Sequence, residues 1–155
     1  MISPERFDDG REMLMAGLAE RFTTQTRGKI PALWARFAPF IGKVPGQVGP
    51  ASYGISWNID AEFSFDYLAA VEVADPAGLP QEFSTLRIAP QRYAVFHHLA
   101  HVSTIAATLG AICESWLPNS GFEPCGPCIE RYDHRFDPHT GMGGFEIWLP
   151  IQSSH

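Results

Sequence analysis

The sequence predicts an α+β fold in which two strand–helix–strand–strand units form a mainly antiparallel sheet with two principal helices and a central cleft. Three observations support this prediction. Apolar residues recur at helical spacing in two stretches, each with one strand-like segment before it and two after it. Turns rich in glycine and proline separate these segments. The order of segments repeats while residue identity between the halves is poor, so two similar units are expected to enclose a cleft.

The first half contains one expected helix and three expected strands. Pro31 suits the first turn of the helix, which carries Leu33 and Phe37 on one stripe. The segment 12–22 reads as a strand, although its Met, Leu and Ala content also suits a short helix. The expected elements are 12–22 (strand), 31–41 (helix), 51–58 (strand) and 63–73 (strand).

The second half repeats this order. Ser103 is a plausible N-cap for a helix that Pro118 would stop. Its apolar stripe consists of Ile105, Leu109, Ile112 and Trp116. The expected elements are 91–99 (strand), 103–117 (helix), 129–136 (strand) and 144–151 (strand). The chain, residues 1–155, is therefore expected to be a single domain with pseudo-repeats at approximately 11–75 and 90–152.

Composition limits the classes of function. A chain of 155 residues suits one domain, and a net charge of −6 without a basic run argues against nucleic-acid binding. No stretch approaches the roughly 20 apolar residues of a membrane span. The first ten residues lack the basic start and apolar core of a signal peptide, and three cysteines are too few for a disulfide framework. A cytoplasmic location and no membrane partner are therefore expected.

One carboxylate in the last strand stands out. Glu146 lies within an otherwise apolar or aromatic segment, and period-two alternation puts it on the same face as Trp148. If that face is covered, the carboxylate must be paired, be neutralised by a raised pKa, or await an incoming cation. An exposed edge strand with Glu146 in water is the alternative.

Cysteine and histidine motifs offer weaker signals. Cys125-Gly-Pro-Cys128 matches the thioredoxin tetrad, but the residues after it read as a strand instead of the helix that would lower a thiol pKa. A zinc site with His134 and His139 would lack the usual intervening segment. His97, His98 and His101 follow one another at a strand end, where neighbours point to opposite faces. No metal or cofactor is expected, and a turn is the favoured reading of the tetrad.

With these segments in place, the sequence resembles the GyrI-like, or AraC-type effector-binding, family over nearly its whole length. The first half matches loosely, at 30–37 and 67–73. The segments that carry the likeness in the second half are Tyr93-Ala-Val-Phe96 with His98 and His101-Val-Ser103, Trp116-Leu-Pro118, Ser120-Gly121, Glu130-Arg-Tyr132 with Phe136-Asp137, and Glu146-Ile-Trp-Leu-Pro150.

The resemblance implies an aromatic cleft that binds small hydrophobic, commonly cationic molecules, with Glu146 at its floor as the counter-charge. Aromatic residues with polar groups are natural walls for such a cleft. The expected ligand-binding residues are therefore Glu146, Trp148, Tyr132, Tyr93, Tyr67 and Trp116.

The resemblance also leaves alternatives. Some members of the family are hydrolases that open strained, cyclopropane-containing molecules, which here would use Glu146 with the hydroxyl of Tyr132 or Tyr93. Regulators of the family carry a DNA-binding region ahead of this domain, and the sequence leaves no room for one before about Glu12. A free-standing binder or a protein-interaction module, acting on gyrase or as the sensor partner of a separate transcription regulator, is then expected.

Overall fold

The computed structural model describes residues 2–154, and within them it contains nine strands and three α-helical segments. In the first part of the chain these are β1 (Arg6–Gly10), β2 (Met13–Phe22), α1 (Ile30–Phe37), β3 (Ser52–Trp57), β4 (Phe65–Val73) and β5 (Ser84–Ile88). In the second part they are β6 (Gln91–His98), α2 (Ile105–Ala111), α3 (Leu117–Ser120), β7 (Phe122–Pro124), β8 (Cys128–Tyr132) and β9 (Phe145–Ser153). No helix among these residues has the length and apolar character needed to cross a membrane.

The chain divides into two compact units. The N-terminal unit is Glu12–Ala89, and the C-terminal unit joins the segment up to Arg11 with the chain from Pro90 onward. Strands in the N-terminal unit lie in the order β3-β4-β2-β5, and those in the C-terminal unit in the order β8-β9-β6-β1, with β7 also on β9. The pairs within each unit are antiparallel. The predicted α+β class, with repeated strand–helix–strand–strand units and two principal helices, is confirmed.

In the N-terminal unit, α1 packs directly on the sheet. Pro31 lies in its first turn, as expected, and Leu33 and Phe37 are its buried residues. They join a cluster with the inward-facing side chains of β2 and β4. Since antiparallel strands alternate their side chains, the buried residues of β4 in this cluster are every second one: Tyr67, Ala69, Val71 and Val73. Burial of this apolar surface stabilises the unit.

The helical segment of the C-terminal unit differs from the sequence prediction at both ends. His101, and not Ser103, is the capping residue, because its side chain accepts the backbone N–H of Ser103. Pro118 does not stop the helix. The chain widens into a π-helical turn over Ile112–Trp116 and continues as α3 with Pro118 in the first turn, where a missing N–H is tolerated. Gly121, with φ of 80°, ends it.

Short strands were the other difference. Strands β1, β5 and β7 were not predicted from the sequence, because they have only five, five and three residues and carry exposed polar positions. Strand β8 is also shorter than the expected 129–136. The Asp133 carboxylate accepts the backbone N–H of Arg135, and this local turn ends the strand at Tyr132.

Candidate functional site

The sheet of the C-terminal unit has two chemically different faces. In the β9 register, Glu146 lies opposite His97 of β6 and Arg131 of β8. Alternation places Glu146 and Trp148 on one face, which we call the Glu146 face. Phe145 and Ile147 therefore point to the other side. We call this the helix face because Trp116, in the π-helical turn, packs there.

Glu146 is buried, as expected for a covered face of the sheet, but its negative charge is already paired with an arginine. Only 5% of the residue is exposed. Arg6 Nη1 lies 2.8 Å from Glu146 Oε2, and the Trp148 indole N–H donates to Oε1 at 3.0 Å. Arg131 and Arg135 approach the carboxylate to 3.8 and 4.0 Å. Burial opposes ionisation, yet the bonds from Arg6 and Trp148 outweigh it and lower the pKa of Glu146.

Trp148 and Tyr93 share this face with Glu146. Their rings meet edge to face, with centroids 5.2 Å apart, and the Arg6 guanidinium lies 5.9 Å from the Trp148 ring. Tyr93 is fully buried, and its hydroxyl accepts a hydrogen bond from the Gln91 amide at 2.8 Å. A Cβ atom at Gly10 would lie 2.4 Å from the Tyr93 ring, so β1 needs glycine there. The Arg6 guanidinium, which lies beside the Glu146 carboxylate and the Trp148 indole, therefore occupies the position that a ligand cation was expected to take.

A second buried carboxylate of this unit, Glu130, lies on the helix face, and the sequence analysis above gave it no role. Glu130 is 9% exposed, and the Tyr132 hydroxyl donates to its Oε1 atom at 2.7 Å. The Tyr132 ring packs on Phe145 and Phe136, with centroids 4.6 and 4.8 Å away. The signal was present in the sequence, because Glu130 and Tyr132 are two residues apart in a strand and so share a face.

The remaining expected site residues do not lie beside Glu146. Trp116 packs edge-on against Phe96 on the helix face, with ring centroids 5.1 Å apart. Tyr132 is on that face as well, so its hydroxyl and the Glu146 carboxylate point to opposite sides of the sheet, and the expected hydrolase pair is not formed within this unit. Tyr67 belongs to the N-terminal unit, where it is buried on the α1 side and accepts a hydrogen bond from the Trp34 indole at 2.9 Å.

The cysteines are three free thiols. Burial raises the pKa of Cys128 to about 12 and also raises the pKa of Cys125. Redox chemistry of the thioredoxin type needs the opposite shift, and Cys128 opens a strand instead of a helix. Within residues 2–154, no group of three or more histidine, cysteine, aspartate or glutamate side chains is arranged to hold a metal ion.

The chain is similar to known proteins over nearly its whole length. The model of the family described as GyrI-like small molecule binding domain matches residues 6–152. The transcriptional regulator BrlR of Pseudomonas aeruginosa is 32% identical over 138 residues, which are 85% of this chain and 50% of that protein. The chain thus spans about half the length of this curated relative.

Two solved structures are similar in fold. The structure of SAV2435 bound to tetraphenylphosphonium has a TM-score of 0.76 at 15% identity, and the match covers 95% of this chain and 93% of that one. A putative transcription regulation protein from Staphylococcus aureus MU50 has a TM-score of 0.69 at 17% identity, with 96% and 97% covered. At these identities the likeness concerns the fold.

Proposed function

Because the chain belongs to the GyrI-like small molecule binding domain family, we propose that it binds small hydrophobic cations on the helix face of the C-terminal unit, with Glu130 as the counter-charge. The observation that carries this proposal is the buried Tyr132–Glu130 pair among aromatic rings. A carboxylate in a low-dielectric environment attracts a cation more strongly than one in water. Rings beside it add about 0.5–2 kcal/mol of cation–π attraction.

The two buried carboxylates of this unit lie in different surroundings. Glu146 is bonded to Arg6, so a ligand cation at Glu146 would first have to displace an arginine. Glu130 lies beside the Tyr132 ring, which packs on Phe145 and Phe136. These aromatic surroundings are the reason for proposing Glu130, and Glu146, with Trp148 and Tyr93, stays a prediction for a cation site on the other face.

The helix above this face also favours a bound apolar molecule. No residue of α2 is fully buried, and Ile105, Thr108 and Leu109 are only half-buried. Apolar side chains that remain partly in water gain free energy when a ligand covers them, by about 25 cal/mol for each Å² removed from water. A hydrophobic cation between α2 and the rings around Glu130 would cover this apolar surface and at the same time contact the carboxylate.

A pair of isosteric variants tests the proposal. Glu130→Gln and Glu146→Gln each remove one charge, and titration calorimetry compares methyltriphenylphosphonium with the neutral triphenylphosphine oxide. The wild type is expected to prefer the cation, and Glu130→Gln to lose that preference by about tenfold or more, or about 1.4 kcal/mol. Glu146→Gln is the matched control and should keep it. If only Glu146→Gln loses the preference for the cation, the cation site lies on the Glu146 face. A wild type that binds both compounds equally would refute cation recognition.

The hydrolase alternative has one supporting observation, the hydroxyl–carboxylate contact of 2.7 Å between Tyr132 and Glu130. A carboxylate at this distance from a hydroxyl is in reach to act as a general base. Under this alternative, a cyclopropane-containing substrate would give more than one equivalent of product per protein, and Glu130→Gln would abolish it. Product limited to one equivalent or less would leave binding as the function. A role in transcription through a DNA-binding partner stays a prediction.

A further inference from the structure

The contact between Arg6 and Glu146 joins two strands of the C-terminal unit that are not neighbours. Arg6 of β1 lies opposite Val95 of β6, and Val95 lies opposite Trp148 of β9. Residues opposite each other in antiparallel strands point to the same side, so the Arg6 side chain lies on the Glu146 face. It spans two strand spacings of about 4.8 Å each to reach the carboxylate, which requires a long side chain. Arg6 thus reaches in from β1, which ends the strand order of this unit.

Three groups hold the Arg6 guanidinium by different parts of its plane. Its Nη1 atom lies 2.8 Å from Glu146 Oε2, its Nε atom lies 2.7 Å from Asp8 Oδ2, and its Cζ atom lies 5.9 Å from the centroid of the Trp148 ring. The Trp148 indole also donates to Oε1 of Glu146 at 3.0 Å, which leaves Oε2 for the cation. Two carboxylates and an aromatic wall match the forked donors and flat face of a guanidinium better than the compact charge of an ammonium.

Two further arginines lie near this carboxylate without taking the same position. Arg131 and Arg135 bond the Asp133 carboxylate at 3.2 and 2.9 Å. They approach Glu146 only to 3.8 and 4.0 Å. Arg6 is the first residue of β1, and its side chain is 37% exposed. Because strand ends open at a low cost in free energy, Arg6 is the cation that a ligand can replace from solvent.

We infer that Glu146, Asp8 and Trp148 form a binding site for guanidinium compounds that Arg6 of the same chain fills, so that a free guanidinium compound competes with Arg6. A group tethered to the same chain acts at a millimolar or higher effective concentration. Arg6 therefore excludes weakly bound cations and leaves the site to ligands that make more contacts than one side chain does. Because this site lies on the opposite face from Glu130, it goes beyond the proposed function, and either can fail without the other.

Deleting the Arg6 side chain and supplying its missing part tests the site directly. Arg6→Ala keeps Cβ, and N-ethylguanidinium replaces the atoms that are lost, from Cγ to the guanidinium. Thermal unfolding at increasing millimolar concentrations of this compound should show a rise in melting temperature that saturates, because a ligand that binds only the folded state stabilises it. Ethylammonium, which has the same charge without the fork, should bind at least about fivefold more weakly.

The order of affinity among three proteins tests the competition. Titration calorimetry with N-ethylguanidinium should give the lowest dissociation constant for Arg6→Ala and one at least about tenfold higher for the wild type. Arg6→Lys, which keeps a tethered charge but loses the fork, should lie between them, and it keeps the test decisive if Arg6→Ala does not fold. A variant that binds no better than the wild type would mean that Arg6 does not fill the site and would overturn the inference.

Two controls separate a built site from a general effect of the salt. Arg6→Ala/Glu146→Gln lacks the buried carboxylate and should not be stabilised by N-ethylguanidinium. Arg21→Ala in the N-terminal unit also removes an arginine that bonds two carboxylates, those of Asp60 at 2.9 Å and Asp66 at 3.2 Å, in largely exposed surroundings. It should gain nothing either. Equal stabilisation of all three variants would show a non-specific ion effect, and the guanidinium site would be refuted.

Discussion

The two units share one chain order and one strand order, yet they use their helices differently. In the N-terminal unit, α1 buries Leu33 and Phe37 in the apolar cluster beneath it. In the C-terminal unit, α2 contributes no fully buried residue and is tied to β6 by hydrogen bonds to His98. The first helix is therefore packed on the sheet along α1 itself, whereas the second has its fully buried residue, Ile112, only in the π-helical turn that follows α2. The comparison indicates that the first turns of the second helix are packed less tightly than α1.

Their central strands show the same divergence at one matched position. Strand β4 begins Phe65-Asp66 and β9 begins Phe145-Glu146, and in each the acid points away from the helix side. Asp66 bonds Arg21 at 3.2 Å in a largely exposed network, whereas Glu146 is buried against Arg6. The same pattern of alternation thus produces a surface ion pair in one unit and a buried one in the other.

The largest expected effect comes from removing helix side chains one unit at a time. Phe37→Ala deletes a fully buried ring, which costs about 3–5 kcal/mol of unfolding free energy. Leu109→Ala, in the equivalent helix of the other unit, removes a half-buried side chain and should cost about 1 kcal/mol or less. Urea denaturation followed by circular dichroism measures both. Equal losses would contradict the difference in packing between α1 and α2.

The architecture was open to prediction from the sequence because it depends on periodic burial. Strand alternation and helical stripes mark which residues must leave water, and the segments from β2 to β4 and from β6 to β9 follow that signal. Strand β1 escaped prediction since RFDDG is short and polar, and its partners are residues 91–95 of β6, about 85 positions later in the chain. No local pattern reports such a pairing.

The same gap explains the site. Burial of Glu146 was predictable from its apolar neighbours, but its partner Arg6 is 140 residues away in the chain, on the strand that the sequence did not reveal. Without β1, the carboxylate looked available to a ligand. Glu130 was passed over because the residues around it, Arg131 and Asp133 among them, suggest an ordinary half-exposed strand. Only the register of β8 on β9 turns its carboxylate toward the helix face.

A smaller effect sharpens the comparison of the two ion pairs. Arg6→Met keeps the apolar stem and leaves Glu146 buried without its closest counter-ion. Removal of one partner of a fully buried pair costs about 3–5 kcal/mol, and since Arg6 is partly exposed and two further arginines lie near, we expect about 2 kcal/mol. Arg21→Met is the matched control on the exposed pair, where the loss should be smaller and should disappear in high salt.

The pH dependence of the free energy of unfolding shows whether the Arg6→Met loss is caused by the missing charge. The pKa of Glu146 is lowered in the folded state, so its ion pair stabilises fully above the ordinary value of 4.5 and less as the pH falls through the folded-state pKa. The stability gap between wild type and Arg6→Met should therefore be largest near neutrality and shrink in acid, as followed by urea denaturation at several pH values. A gap that stays constant down to acid pH would mean that Arg6 stabilises β1 by packing over Trp148 instead of by its charge.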